Sequence, residues 1–378
     1  MKHLGLYLHI PFCKQKCNYC DFCSFAGIDR ETIVRYVDRL CDDLREKGKA
    51  AADYTVDSIF VGGGTPTLLL PEDFTKIGDA LHDSYSIAKE AEFSVECNPA
   101  TGSPEVFSAM REIGANRVSM GVQSLQKNEL VSLGRIHGPD AFYKTLEQLR
   151  ASGFSNLNAD VMFGIPEQSL EGYLETLEAV AASGVAHIST YGLILEEGTP
   201  FWDKRESLAL PDEETERAMY FKGAKLLEKS GFLQYEISNF AKAGYECRHN
   251  LKYWTCEPFL GFGLAAYSDF GGERYGNSRD LAAYLRGEDI TAERECPTKI
   301  ERANEFVMLG MRTTRGISIK TLRERFGQSF AKQIAAGLEK YLPGGFVQRT
   351  TDGYALTREG LYVSNAILAE ILDFGQTT

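Results

Sequence analysis

Apolar residues fall into two alternating rhythms through the first half of the chain. Short runs rich in β-branched and aromatic residues occupy 4–10, 56–61, 92–97, 117–122, 156–163 and 187–193. Each is the near-continuous apolar run expected of a strand covered on both faces. Between them, helical spacing predicts helices over 29–47, 71–83, 104–113, 140–152 and 170–182. Pro71 and Pro104 suit first helical turns, and Gly114, Gly153 and Gly184 suit the exits.

Six βα units fall short of the eight that close a complete barrel of roughly 250 residues. An open six-unit barrel and a doubly wound sheet both fit the pattern. In either, the ligand site lies at the carboxyl ends of the strands. The unusual residues stand there. Cysteines follow the first run, Gly62–Pro66 the second, Asn98-Pro99 the third, and Gln123 closes the fourth.

After residue 200 the rhythm breaks. A charged helix is expected over 212–229, followed by 235–240 and an aromatic, glycine-rich stretch over 253–272. From 298 onward, short helices, a small hairpin over 345–356 and a final helix suggest a winged-helix-like module. The expected units are therefore 1–200, 201–297 and 298–378.

Composition changes this picture little. Hydrophobic residues make up 43% and charged residues 25% of 378, which excludes a mainly disordered chain. The balance of 41 basic against 53 acidic residues opposes broad nucleic-acid binding, which needs clustered Lys and Arg. The segment 298–378 carries 11 basic against 8 acidic residues, too small a surplus to alter that. No apolar run reaches the ~18 residues of a membrane span. The N-terminal apolar stretch is broken by His9 and followed by charges, so it is a poor signal peptide. A cytoplasmic protein is expected, with peripheral membrane contact left open. Nine cysteines are too few for a disulfide scaffold in a chain this long, so clustered ones point to metal or catalysis.

Cys13, Cys17 and Cys20 form C-x3-C-x2-C after the first strand. Three thiolates can hold three corners of a cubane [4Fe–4S] cluster, leaving one iron open to a small molecule. A zinc site completed by His9 or Cys23, and three buried thiols, also fit the spacing.

The motif, with Tyr19 before its last cysteine, resembles the signature of radical S-adenosylmethionine (SAM) proteins. HIPFCKQKCNYCDF resembles more closely the subgroup containing oxygen-independent coproporphyrinogen III oxidase and the HemW-like haem chaperones. The resemblance runs through GGGTP, ECNP, GVQS, LGRIH, NADVMFGIP and HNLKYW, covering nearly the whole chain. It implies a partial (βα)6 TIM-type barrel with an α+β extension. It also implies a [4Fe–4S] cluster on Cys13, Cys17 and Cys20, and SAM chelated to the open iron. The reduced cluster then cleaves a C–S bond of SAM and releases a 5′-deoxyadenosyl radical.

Matching residues to the family's motifs assigns the SAM amino group to the segment containing Gly63, Gly64 and Thr65. Glu96, Gln123 and Asp160 fall to the sugar or nearby groups, and Arg135 to the carboxylate. Tyr7 and Tyr19 flank the cluster and adenine, and Ile194 packs near the base. Read alone, each polar residue is equally a surface or capping residue, GGGTP a glycine turn, and Ile194 core.

HNLKYW resembles the haem-associated HNxxYW motif. It implies His249 supplying or supporting an iron ligand, Tyr253 and Trp254 lining the macrocycle, and Lys252 or Arg248 meeting a propionate. Cys247 is a competing thiolate. The structural reading of the same residues is a His–aromatic turn beside the barrel mouth.

Two departures separate the chain from the oxidase. Phe22 stands where the oxidase has a further cysteine, and only twelve residues precede Cys13 where the oxidase has a long extension. The resemblance therefore implies a HemW-like protein that binds haem and passes it to acceptor haemoproteins such as respiratory enzymes. The alternative is a radical SAM enzyme acting on a porphyrin, by coproporphyrinogen oxidation, methyl transfer or haem-ring opening.

Overall fold

The strands β1 (Lys2–Ile10), β2 (Tyr54–Gly63), β3 (Ser86–Cys97), β4 (Arg117–Gln123), β5 (Asn156–Phe163) and β6 (His187–Gly192) lie side by side in chain order, each parallel to the next. The computed structural model describes residues 2–372. The crossovers carry helices Arg30–Gly48, Pro71–Ser84, Pro104–Glu112, Asp140–Ala151 and Leu170–Ala182. Parallel crossovers are right-handed, so an order that never reverses keeps the helices on one face of the sheet. A doubly wound sheet reverses at its switch point. The observed order has no such reversal and leaves the second face free to line a ligand site.

The strands follow the apolar runs, and the helices are stopped where the chain signals it. Asp29 and Ser103 cap their helices by accepting from Thr32 N and Val106 N. Two boundaries differ from the sequence pattern. β3 begins at Ser86, six residues early, because its polar first half pairs only briefly with β2. A helix over Lys127–Ser132 was not anticipated, since six residues are too few to display a helical period.

The sheet extends past both edges. β7 (Leu233–Gln234) and β8 (Asn239–Ala241) add antiparallel pairing beyond β6. β9 (Phe259–Phe262) runs parallel beside β1 and leads to antiparallel β10 (Tyr267–Phe270), β11 (Glu273–Asn277) and β12 (Thr291–Glu295). The result is a twelve-stranded mixed sheet in an α/β fold, in the order β12-β11-β10-β9-β1-β2-β3-β4-β5-β6-β8-β7. Its core centres on residues such as Leu6, Leu8, Ile59, Val95, Val118 and Val161, all essentially without exposure.

The C-terminal segment has its own apolar cluster, including Val307, Ile334, Leu338 and Leu356. Helix Lys299–Gly310 leads to strand Ile317–Ser318, two helices, and a hairpin of Val347–Arg349 with Gly353–Leu356. Residue 1 of the first expected unit and 373–378 of the third lie outside the described residues.

Candidate functional site

The cysteine loop is pinned from several sides. Asn18 N donates to Leu133 O (3.0 Å) and Asn18 Nδ2 to Ser132 O (2.8 Å). Arg279 forms two hydrogen bonds with the Asp21 carboxylate, at 3.3 and 3.1 Å. His9 Nε2 bonds Cys23 O at 2.7 Å, and its Nδ1 meets Tyr7 Oη at 3.0 Å. So held, Cys13, Cys17 and Cys20 line a cavity of about 130 Å³ with Gly63, Gly64, Glu96, Gln123, Arg135 and Asp160. These residues come from the carboxyl ends of β1–β5 and the loops beyond.

Donors face the thiols. Thr65 Oγ1 lies 3.7 Å from Cys13 Sγ, and Arg135 Nη1 3.5 Å from Cys17 Sγ. Arg135 is itself fixed by Asn98 Oδ1 (2.6 Å) and by Gly121 O. The glycines are required by space. A Cβ on Gly64 would stand 2.6 Å from Phe12 O, and one on Gly63, at φ +105°, 2.4 Å from the His9 ring.

The single-ion alternative fails on this geometry. Both ring nitrogens of His9 are engaged, and Cys23 is buried in the core rather than lining the cavity. Among the described residues no three His, Cys, Asp or Glu side chains gather as ligands of one ion. Zinc ligands must converge within ~2.3 Å of a point, whereas cubane thiolates bind separate irons. Three thiols beside a guanidinium and a hydroxyl, with a glycine cradle next to them, fit a cluster. Burial pushes the Cys20 thiol up to about 11, so metal binding there must expel a proton.

Two carboxyls stand behind the thiols. Glu96 Oε2 accepts from Gly63 N at 3.0 Å, and burial, with nearby Asp160, pushes its pKa up to about 7. Asp160 is also raised by burial, partly offset by hydrogen bonds including Asn158 Nδ2 (2.7 Å) and Ser119 Oγ (3.2 Å). Gln123, at φ +65°, lines the same cavity.

This small cavity shares Tyr19, Cys20, Phe22, Glu96, Gln123 and Asp160 with a larger one of about 640 Å³. Tyr7, Phe60, Met162, Tyr191, Ile194 and Tyr253 supply much of its wall. Phe22 and Ile194 are 63% and 69% exposed on its rim, so Ile194 is not a core residue.

HNLKYW lies deeper in the larger cavity. Helix Arg248–Trp254 is held by Ser58 and Glu92, midway along β2 and β3. Glu92 accepts from Arg248 N and His249 N, both at 3.0 Å. Glu92 lies four residues before Glu96, or ~13 Å along the strand. His249 is 1% exposed, with Nδ1 on Ser58 Oγ (3.0 Å) and Nε2 on Tyr253 Oη (2.8 Å). Burial, then Lys252, pushes its pKa down to about 3, so the ring is neutral. His249, Asn250 and Tyr253 line the larger cavity.

The rest of the motif turns away, correcting four expectations. Trp254 lines a separate cavity of about 400 Å³ facing the C-terminal segment, with Arg312 4.6 Å over its ring. Lys252 is buried between Asp57 (2.8 Å) and Glu257 (2.9 Å), leaving no free ammonium for a propionate. Arg248 bonds Glu90 O and lines the same separate cavity. Cys247 is fully buried, lines neither cavity, and is pushed by burial up to about 12. Helical geometry explains part of the split: positions 249 and 253, one turn apart, share a face, and 254 lies about 100° further round.

Sequence reasoning gave no role to Asn98, Phe60 or Arg117. Arg117 is 2% exposed, lines the larger cavity and, among the described residues, has no carboxylate within ion-pair distance. The signal was weak, since Arg117 follows Asn116 and opens the run rather than interrupting it.

Fold and site together define a class, and comparison with known proteins agrees. The radical SAM superfamily model matches residues 7–180, and the HemN C-terminal domain model matches 298–363. A solved structure of coproporphyrinogen III oxidase (HemN) from Escherichia coli shares the fold, with TM-score 0.86, 22% identity, and coverage of 99% of this chain and 91% of that one. The heme chaperone HemW of Bacillus subtilis is 34% identical over 376 residues, covering 97% of this chain and 98% of its own. That of Escherichia coli is 32% identical over 370 residues, covering 97% of each chain. The chain belongs to the HemW family of radical SAM proteins.

Proposed function

We propose that this protein binds a [4Fe–4S] cluster, SAM and haem, and delivers haem to acceptor haemoproteins such as respiratory enzymes. The observation that carries this reading is the joined pair of cavities. The thiols open into a space whose far wall is His249 and Tyr253, so cluster site and aromatic pocket are parts of one interior. Its size lies within the ~300–1,000 Å³ typical of ligand pockets. The relatives' name, heme chaperone, supports haem as the cargo.

Cys13, Cys17 and Cys20 would hold the cluster, which with SAM supplies one-electron chemistry at a sulfonium. Arg135 offers its guanidinium to a carboxylate and screens Cys17. Gly63 and Gly64 bring bare backbone to the ligand. Glu96 and Asp160 meet the sugar or nearby groups, and burial makes both hold protons more readily than exposed carboxyls. The aromatic wall of Tyr7, Phe60 and Tyr253 suits a flat macrocycle and keeps water from it. No described helix is long and apolar enough to cross a membrane, and the protein is read as acting in the cytoplasm.

Anaerobic reconstitution followed by haem titration tests the reading. Saturable haem binding that leaves the haem intact is expected, and a methylated or ring-opened product would replace the chaperone with an enzyme.

A further inference from the structure

His249 is the expected iron ligand of HNLKYW, yet neither of its ring nitrogens is free. Its bonding partners fix which nitrogen carries the proton. Ser58 Oγ is wholly buried, and its only hydrogen-bond partner among the described residues is His249 Nδ1. A buried hydroxyl with one partner donates to it, because an unmade donor is the costlier loss. Nδ1 is then the acceptor, and the neutral ring carries its hydrogen on Nε2. Nε2–H donates in turn to Tyr253 Oη at 2.8 Å. The phenol's own hydrogen is not spent on His249. Tyr253 is half-buried and lines the 640 Å³ cavity, and its ring is fixed edge-on against Phe259, centroids 4.7 Å apart.

On the haem reading proposed above, we infer that Tyr253, not His249, is the group of this motif that meets the iron, and that His249 is a positioning residue behind it. A phenolate is an established type of haem ligand. With ferric haem, the Tyr253 O–H bond breaks, an Fe–O bond forms, and the proton leaves through the cavity to solvent. No oxidation state changes. The Nε2–H of His249 stabilises the phenolate oxygen, as hydrogen bonds from outer partners tune metal ligands. Burial, then Cys247, pushes the phenol up in pKa, and coordination to iron supplies the opposing drive. Cys247, Lys252 and Trp254 are excluded by position, as described above.

The test uses the full chain and ferric protoporphyrin IX, with iron-site EPR and resonance Raman spectra beside the binding titration. Wild type is expected to show the high-spin ferric signal and phenolate vibrations of a tyrosinate ligand. Tyr253→Phe keeps the ring's packing, so the fold is retained. It should lose that signature and bind ferric haem about tenfold more weakly or worse. Tyr253→His should replace it with a nitrogen-ligated spectrum. His249→Gln should retain the phenolate signature with a shifted charge-transfer band. A wild-type spectrum that is nitrogen-ligated and abolished by His249→Gln overturns the assignment, as does an unchanged spectrum in Tyr253→Phe. Wild type that takes up no haem at all refutes the haem reading itself, and this assignment with it.

Discussion

At the carboxyl ends of β1–β5, thiols, a guanidinium and two carboxyls face open space. Midway along β2 and β3, Glu92, Ser58 and His249 are instead bonded to one another or to backbone, and Lys252 to Asp57 and Glu257. Both regions carry motif residues, and both border the same cavity. The first holds its groups in place around a cavity they line, whereas the second uses its groups to fasten a helix and lets one phenol through. A motif match identifies the residues but not which of these two jobs each performs. That depends on whether a side chain's partners lie inside the protein.

The sharpest break of this comparison is Cys17→Ala. On the proposed reading, anaerobically reconstituted protein holds about four iron and four sulfide per chain. Cys17→Ala should lose most of both by metal and sulfide analysis, while His249→Ala keeps them. Comparable losses in the two variants would show that the regions are not independent. Next in size is Glu92→Ala, which strips the buried caps from Arg248 N and His249 N. Unfolding by denaturant should report a loss of about 2–3 kcal/mol, with iron content preserved on reconstitution.

Gly63→Ala comes third. Its Cβ meets the His9 ring at a positive φ, so a loss of about 1–3 kcal/mol is expected. A larger residue here reports on folding before it reports on ligand, so the SAM site is better probed with Arg135→Lys. A smaller effect depends on pH. The Glu96 carboxyl is raised by burial to about 7 in the folded chain, from 4.5. Its proton is kept on folding, so its burial is tolerated below about 4.5 and becomes destabilising as pH rises to about 7, after which the cost is constant. The stability of Glu96→Gln relative to wild type should therefore climb across that window, measured by thermal melts. A flat difference would place the carboxylate in a better-solvated site than the structure gives it. The smallest effect is Arg279→Ala. The exposed pair with Asp21 should contribute under about 1 kcal/mol to unfolding.

Much of the fold was legible because covered parallel strands are largely apolar, and these runs alternate regularly with helical spacing. The rim was legible for a related reason: residues following each run reach one end of the sheet by topology alone, which gathered Cys13, Gly63, Glu96 and Gln123 together. The motif at 249–254 was harder. Nothing local says where along the strands a helix from a later segment will pack, and Glu92, the residue that anchors it, looked like an ordinary strand start. Arg117 was passed over because, following Asn116 at the start of an apolar run, it looked like a polar strand entry. Trp254 and Lys252 were misplaced because adjacency in sequence on a helix is divergence in space.

The claim that this interior carries haem rather than transforms a porphyrin is tested most directly on one anaerobically reconstituted sample. It is divided between a haem titration and an assay with coproporphyrinogen III, SAM and a strong reductant. The account predicts saturable binding of intact haem and no consumption of coproporphyrinogen III. Conversion to protoporphyrinogen, with or without haem binding, would contradict it.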